Sequence, residues 1–341
     1  MPARAAEVPG LLASAQPLAT AYDVALTDLD GVVYLGESAI PGAPAALAAA
    51  MAAGLRIVYV TNNASRTPSA IAAQLAALGV PAWAEVTTSA AQAGARLLAE
   101  RLPPGAEVLV VGGTGLRLAV RERGFRPVSV ASGQTAAVIQ GYAPDLSYSL
   151  LTEGALAVQA GALFVASNAD LTLPTARGRQ PGNGSLLRVI ATAAGREPLV
   201  AGKPEPPLHA EAVARSGARR PLVVGDRLDT DIEGAVRVGS DSLLVLTGVS
   251  RPLDVVLAPA RQRPSYLAES LSGLLAPQPP VIREEGAFRC GGWLARPAPG
   301  LVELAGRGER VDGLRALCTA AWSGAGQDAS AVTAALGKLG Y

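Results

Sequence analysis

Short, uninterrupted apolar runs alternate along this chain with longer alanine- and leucine-rich stretches, and most of the runs stop abruptly at polar residues. Apolar runs bounded in this way predict buried strands, and the stretches between them predict covering helices. The first strand is predicted at Val24–Thr27, with a helix within residues 43–53 that Gly54 ends. A strand over 56–60 leads to Thr67-Pro68, the residue types of a helix N-cap and first turn, and that helix runs to about Leu78, before Gly79. Another helix, near 89–101, stops at Pro103-Pro104. The alternation resumes with strands in "EVLVVGG" (107–113), 138–140 and 163–166, then a helix after Gly184 that reaches Gly195. Two more strands are predicted in "LVAGKP" (199–204) and "PLVVGDR" (221–227). This order predicts an α/β fold, a Rossmann-like parallel sheet covered by helices.

The stretch "PQPP" (277–280) reads as a linker. Beyond it, "AFRCGGWLAR" and "LVELAG" predict two strands, and helices are predicted near 313–322 and 329–338. A unit of about 60 residues is marginal for independent folding, so this tail is expected to pack on the main body.

The residues that follow the apolar runs are the ones able to do chemistry. In an open parallel sheet, ligands bind at the carboxyl ends of the strands. Here "VALT" is followed by Asp28 and Asp30, "RIVYV" by Thr61, Asn62 and Asn63, "LVAG" by Lys203, and "PLVVG" by Asp226, Asp229 and Asp231. Two unit charges about 4 Å apart repel by about 4 kcal/mol at an effective dielectric near 20. If Asp28, Asp30 and Asp226 converge, Lys203 alone does not neutralise them. A hard divalent cation with oxygen ligands does, and Mg2+ fits best because it combines a few carboxylates with waters and a phosphate oxygen. Taken singly, Asp28-x-Asp30 also reads as a turn cap. Asp229 and Asp231 also read as residues favoured by the dipole of a helix through Ala235.

Composition narrows the field. Half the residues are hydrophobic and 17% are charged, which excludes disorder of the whole chain. A net charge of +1 gives no electrostatic case for nucleic acid or an anionic membrane as partner. Glu7 and Pro9 interrupt the first apolar residues, so no signal peptide is expected and a cytoplasmic protein is. Cys290 and Cys318 lack metal spacing and are expected to be buried or free thiols. His209, the single histidine, is predicted on a helix face, so zinc chemistry, a Ser-His-Asp triad and a histidine base lack material. Hydrolysis would have to rest on carboxylates, hydroxyls and lysine.

Together, "DLDGV" (28–32), "VTNN" (60–63), "GKP" (202–204) and "GDRLDTDI" (225–232) resemble the four ordered motifs of haloacid dehalogenase superfamily phosphatases. They are similar in particular to class IIA, the branch with NagD-like, 4-nitrophenyl and glycerol 3-phosphate phosphatases. The resemblance implies a catalytic core over 1–104 and 198–276, an inserted C2-type α/β cap over 105–197 that selects substrate, and an α+β extension over 281–341. It implies Asp28 as nucleophile through an aspartyl phosphate, and Asp30 as acid and then base. Mg2+ would be held by Asp28, the main-chain carbonyl of Asp30 and Asp226, with Asp231 supporting. Thr61, Asn62 and Asn63 would bind the phosphoryl group, and Lys203 would offset its charge. The loop "ASNADLTLP" (166–174) offers Asp170 and Thr172 for substrate hydroxyls, or a plain Asx turn. Arg66 fits a phosphate contact or the surface equally well. The substrate implied is a small phosphomonoester, glycerol 3-phosphate first, with sugar phosphates, phosphoglycolate and aryl phosphates as alternatives.

Readings of other classes stay open at this level. Asp28 could serve a phospho-acceptor or phosphate-binding module, although a pure acceptor does not require Asp30. Gly113 and Gly115 hint at a dinucleotide turn, but the third glycine of that fingerprint would fall at Leu118. The tail resembles part of an acetyltransferase-like β-β-α arrangement. It is too short for that fold, so no acetyl transfer is expected, and a packing or homodimer-contact role is. Removing 280–341 is expected to lower stability or change assembly while leaving the Asp28 chemistry in place.

Overall fold

Parallel strand pairing dominates the computed structural model, which describes residues 10–175, 177–298, 300–324 and 328–341. The α/β class is as expected. The chain divides into two units. One contains the described residues up to Ile57 together with Arg219–Tyr341; the other is Val58–Ala218.

In the first unit, parallel strands lie in the order Tyr266–Ala268, Asp241–Val245, Pro221–Gly225, Val24–Thr27. All four residues of Val24–Thr27 are buried, as are Leu222–Gly225, so these runs read as continuously apolar because both faces are covered. The register pairs Thr27 with Val224, which brings the residues after each strand, Asp28 and Asp226, to the same edge. A helix at Ala43–Ala52 follows the first strand.

The tail belongs to this unit. Ile282–Glu284, Ala287–Cys290, Trp293–Ala298 and Leu301–Gly306 form an antiparallel meander, followed by helices Arg310–Ser323 and Ala329–Gly337. "AFRCGGWLAR" therefore forms two strands where one was expected, because Gly291-Gly292 supplies a tight hairpin turn inside it. A further strand, Ile282–Glu284, precedes them. The meander and helices share one apolar core with Leu244, Val255, Val256 and Leu267, so the tail packs on the body as expected. "PQPP" is not a loose connection. Gln278 is buried, forms a bridge with Ser14, donates to the Gly273 carbonyl at 2.9 Å and accepts from Arg315 at 2.8 Å.

In the second unit, a five-stranded parallel sheet runs in the order Leu199–Val200, Leu163–Ala166, Thr135–Gln140, Glu107–Val111, Arg126–Val128. Helices Tyr148–Gln159 and Asn183–Ala194 pack together over its apolar residues. The strand in "LVAGKP" is thus only two residues long and pairs with Leu163–Ala166. Four apolar ends in one sheet was the expectation; the run before Lys203 belongs to this other sheet. Elsewhere in the unit, Val58–Thr61 closes a strand that pairs in parallel with Thr87–Ser89. The expected cap at Thr67 is present, its hydroxyl accepting from the Ala70 N–H at 3.2 Å with Pro68 in the first turn. Ser89 and Gln92 form a capping box at the start of Ala90–Ala99.

Candidate active site

The site in the first unit is an acidic cluster. Carboxylate oxygens of Asp28, Asp226 and Asp231 lie within 4.8 Å of one another. Adjacent parallel strands account for the first two: the Asp28 N–H donates to the Val224 carbonyl at 2.8 Å, continuing the ladder one residue past Val24–Thr27. Asp231 comes from the turn Leu228–Ile232, which is a π-helical turn before the helix Glu233–Val238. The Arg227 N–H donates to Asp231 Oδ2 at 3.2 Å and fixes its orientation. Asp226 and Asp231 are buried, Asp28 is partly so, and Asp30 is exposed. The carboxylate of Asp30 is not one of the three. Asp229 is not among them either. Its guanidinium partner Arg227 holds it in two hydrogen bonds of 3.0 and 2.8 Å. Burial raises its pKa, but that ion pair outweighs burial and leaves it below the usual carboxylate range.

A second feature of this unit was not read from the sequence. The loop 247–250, which follows the strand Asp241–Val245, clasps Asp226. The Val249 N–H donates to Asp226 Oδ2 at 2.6 Å, and the Ser250 N–H donates to the Asp226 carbonyl at 3.1 Å. The Ser250 hydroxyl accepts from the Leu228 N–H at 3.1 Å, and the Thr247 hydroxyl donates to the Gly31 carbonyl at 2.6 Å. A Cβ at Gly31 or at Gly248 would overlap the Asp226 carboxylate, and Gly31 also has φ +83°. A polar turn after one more buried strand was the only signal, and such turns are common.

Three clustered carboxylates in a cradle that admits no extra Cβ suit a small, hard cation with oxygen ligands. Sulfur and imidazole are missing from this donor set, which argues against zinc.

In the second unit, Asn62 ties three segments together. Its Oδ1 accepts from the Lys203 N–H at 2.8 Å, and its Nδ2 donates to the Lys203 carbonyl and to Asp170 Oδ2, both at 3.1 Å. Asn168 returns the contact: its Nδ2 donates to the Asn62 carbonyl at 2.8 Å, and its Oδ1 accepts from the Asp170 N–H at 3.2 Å. Asn183, at the start of the helix Asn183–Ala194, donates to the Asn168 carbonyl at 2.7 Å. The Asx turn considered for 168–170 is therefore present, and Asp170 orients Asn62. Thr172 lies in the strand Thr172–Thr175, paired with Gly178–Pro181. The Lys203 ammonium is buried and donates to the Val60 carbonyl at 3.2 Å. The Thr61 hydroxyl accepts from the Asn63 N–H at 3.1 Å, and Asn63 Oδ1 accepts from Ser65 and Arg66.

Arg66 spends its guanidinium on Gln74 and on the Ala70 carbonyl, so it serves the helix Pro68–Ala77. Gly113 and Gly115 are explained by packing. The Gly115 N–H donates to the Ser65 carbonyl at 3.0 Å, and a Cβ at Gly115 would strike the Arg66 carbonyl. The backbone of 64–66 thus occupies the helix terminus that a dinucleotide would need. His209 is buried on the helix Pro206–Ser216.

The haloacid dehalogenase-like hydrolase model matches residues 25–126, and a second model of that hydrolase type matches 200–274. A GCN5-related N-acetyltransferase-like domain model matches 290–340, which gives the tail a firmer likeness than its sequence alone. The chain belongs to the haloacid dehalogenase-like hydrolases, in their phosphatase branch. It is 43% identical over 329 residues to D-glycerol 3-phosphate phosphatase of Mycobacterium tuberculosis, covering 91% of this chain and 89% of that protein. A crystal structure of the glycerol phosphate phosphatase of the same organism in complex with magnesium superposes with a TM-score of 0.85 at 41% identity, covering 95% of this chain and 99% of that one. An acid sugar phosphatase of Staphylococcus aureus is 36% identical over 236 residues, covering 69% of this chain and 90% of that protein. A match over 91% of the chain must run into the tail, because the residues before 281 make up a smaller share.

Within the tail, Gly313 packs against Trp293 and Leu339, and Asp312 stands in the first turn of Arg310–Ser323. A carboxylate there opposes the binding of a pyrophosphate at that helix terminus.

Proposed function

We propose that this chain is a Mg2+-dependent phosphatase that hydrolyses glycerol 3-phosphate through an aspartyl phosphate on Asp28. The observation that carries the chemistry is the convergence of Asp28, Asp226 and Asp231 within 4.8 Å at adjacent strand ends. The choice of substrate is supported by likeness to D-glycerol 3-phosphate phosphatase along most of the chain.

An Asp28 carboxylate oxygen attacks phosphorus while the bond to the alkoxide oxygen breaks, and Asp30 gives that oxygen its proton. Asp30 then takes a proton from water, the water oxygen attacks phosphorus, and the Asp28 carboxylate leaves unchanged. The exposure of Asp30 suits a group that must exchange protons twice per turnover. Mg2+ would be held by Asp28, the Asp30 carbonyl and Asp226, with Asp231 supporting; when bound, it would neutralise charge on the carboxylates and the phosphoryl oxygens. Thr61, Asn62, Asn63 and Lys203 take their phosphoryl-binding roles from the motifs they match, and residues 105–197 take the role of cap. Cytoplasmic residence fits the two free, buried thiols. Among the described residues, no helix is long and apolar enough to cross a membrane.

The deciding experiment is kcat/KM for a panel of phosphomonoesters with Mg2+ and after its chelation. Glycerol 3-phosphate is expected to rank first, and Asp28→Asn is expected to release no phosphate. A sugar phosphate at the head of the ranking would favour the second reading, which the likeness to acid sugar phosphatase supports. Phosphate release that survives in Asp28→Asn would overturn both.

A further inference from the structure

The acetyltransferase-like tail meets the Asp226 clasp at one short helix. The loop 247–250 leads directly into Pro252–Val256, which packs against the tail helices Arg310–Ser323 and Ala329–Gly337. The Trp322 indole N–H donates to the Val255 carbonyl at 3.3 Å, and the Arg263 guanidinium lies over the Trp322 ring at 5.2 Å. Arg263 also donates to the Ala258 carbonyl at 3.1 Å, just past the end of the same helix. Val255 and Val256 are fully buried in the apolar core that the tail completes. Leu228 and Ile232, which bound the turn carrying Asp231, belong to that core too. Both segments that orient carboxylates of the cluster therefore rest on a core the tail helps to build.

We propose that the tail is a positioning element of the metal site: Trp322 holds the helix Pro252–Val256, and through it the loop 247–250, where the Val249 N–H meets Asp226. This rests on the reading above that the cluster binds Mg2+, and it goes beyond the packing role expected of the tail. The N–H groups around a metal-binding carboxylate set its orientation and so the affinity of the site. A support one step further out acts in the same direction with a smaller effect.

The test is calorimetric titration of Mg2+ into the full-length chain, beside thermal unfolding with and without Mg2+ and kcat at saturating Mg2+. Trp322→Phe keeps most of the ring volume and loses the donor. It is expected to weaken Mg2+ binding by about three- to tenfold, and to shrink the rise in Tm that Mg2+ gives, with kcat at saturation changed by less than about twofold. Arg263→Lys, which keeps the charge but not the planar stack, is expected to shift Mg2+ affinity in the same direction and serves if Trp322→Phe does not fold. Ile190→Ala, in the separate apolar core of the second unit, is expected to lower the metal-free Tm without moving Mg2+ affinity. Wild-type affinity in both Trp322→Phe and Arg263→Lys would overturn the inference alone. A wild-type chain that binds no Mg2+ would overturn the reading of the site, and this inference with it.

Discussion

Gly248 shows how narrowly a single position can be constrained around Asp226. A methyl group there would overlap the carboxylate that Val249 orients, so the side chain would have to turn away from Asp28 and Asp231. Gly248→Ala is expected to weaken Mg2+ binding by about 10- to 100-fold, measured by calorimetry, because the carboxylate loses its fixed orientation. Asp30 is tested by its leaving group. Asp30→Asn is expected to lower kcat on glycerol 3-phosphate by about 10²–10⁴-fold. The first burst of phenolate from 4-nitrophenyl phosphate should suffer much less, because that leaving group needs no proton, while steady turnover falls on both substrates through the lost base; an equal loss in the first step on both would argue against Asp30 as the acid. The sequence made Asp28 and Asp226 legible, since carboxylates directly after buried strands conflict with strand propensity and need a reason, whereas Asp231, in the turn Leu228–Ile232, was legible only through the motif it belongs to. It left the roles of Gly248, Val249 and Asn168 hidden, because their contribution is a backbone N–H, a missing Cβ and an amide, all common in loops.

Elements are held by small polar knots as well as by apolar cores. Asn168 joins the loop after Leu163–Ala166 to Asn62, to Asp170 and to the start of Asn183–Ala194. Asn168→Ala would strip partners from a partly buried carbonyl and a partly buried N–H, at a cost of about 1 kcal/mol. We expect a lower midpoint in chemical denaturation and a higher KM, because Asn62 and Lys203 share the same knot. An unchanged midpoint would show that water replaces these bonds without loss. Helix starts were legible in residue type: Thr67-Pro68 caps and begins a helix as its chemistry requires. The pairing of Leu199–Val200 was not, because a two-residue apolar run is compatible with an edge position in either sheet.

At the scale of the whole molecule, the tail and the acid limit of stability can both be measured. Burial pushes the Cys290 thiol up to about 12, with Asp312 adding to the effect, and burial pushes Cys318 higher still. Neither thiol is expected to react with a disulfide reagent at about pH 8 in the native chain, and both should react in denaturant. Fast labelling of the native chain would mean that the tail core opens readily. Asp23 bears on acid unfolding. Burial raises its pKa, but the backbone N–H groups of Arg219 and Arg220, with the charge of Arg56, outweigh burial and hold it below its ordinary value. A depressed folded-state pKa adds stability above the unfolded value near 3.9, and that stability is lost as pH falls through the folded value. Asp23→Asn is therefore expected to flatten the fall in Tm below about pH 4 and to lower Tm at neutral pH.

The sequence by itself determined the α/β alternation, the polar residues that follow its apolar runs, and the α+β character of the tail beyond "PQPP". Each of these follows from local pattern: apolar runs that must be buried, and polar groups placed where burial stops. Tertiary structure alone decided that Asp28, Asp226 and Asp231 share one spot, that a glycine loop clasps Asp226, and that the tail shares its core with the helix behind that loop. These depend on strand order, register and packing between segments far apart in the chain. Local propensity does not encode which distant partner a buried surface will meet.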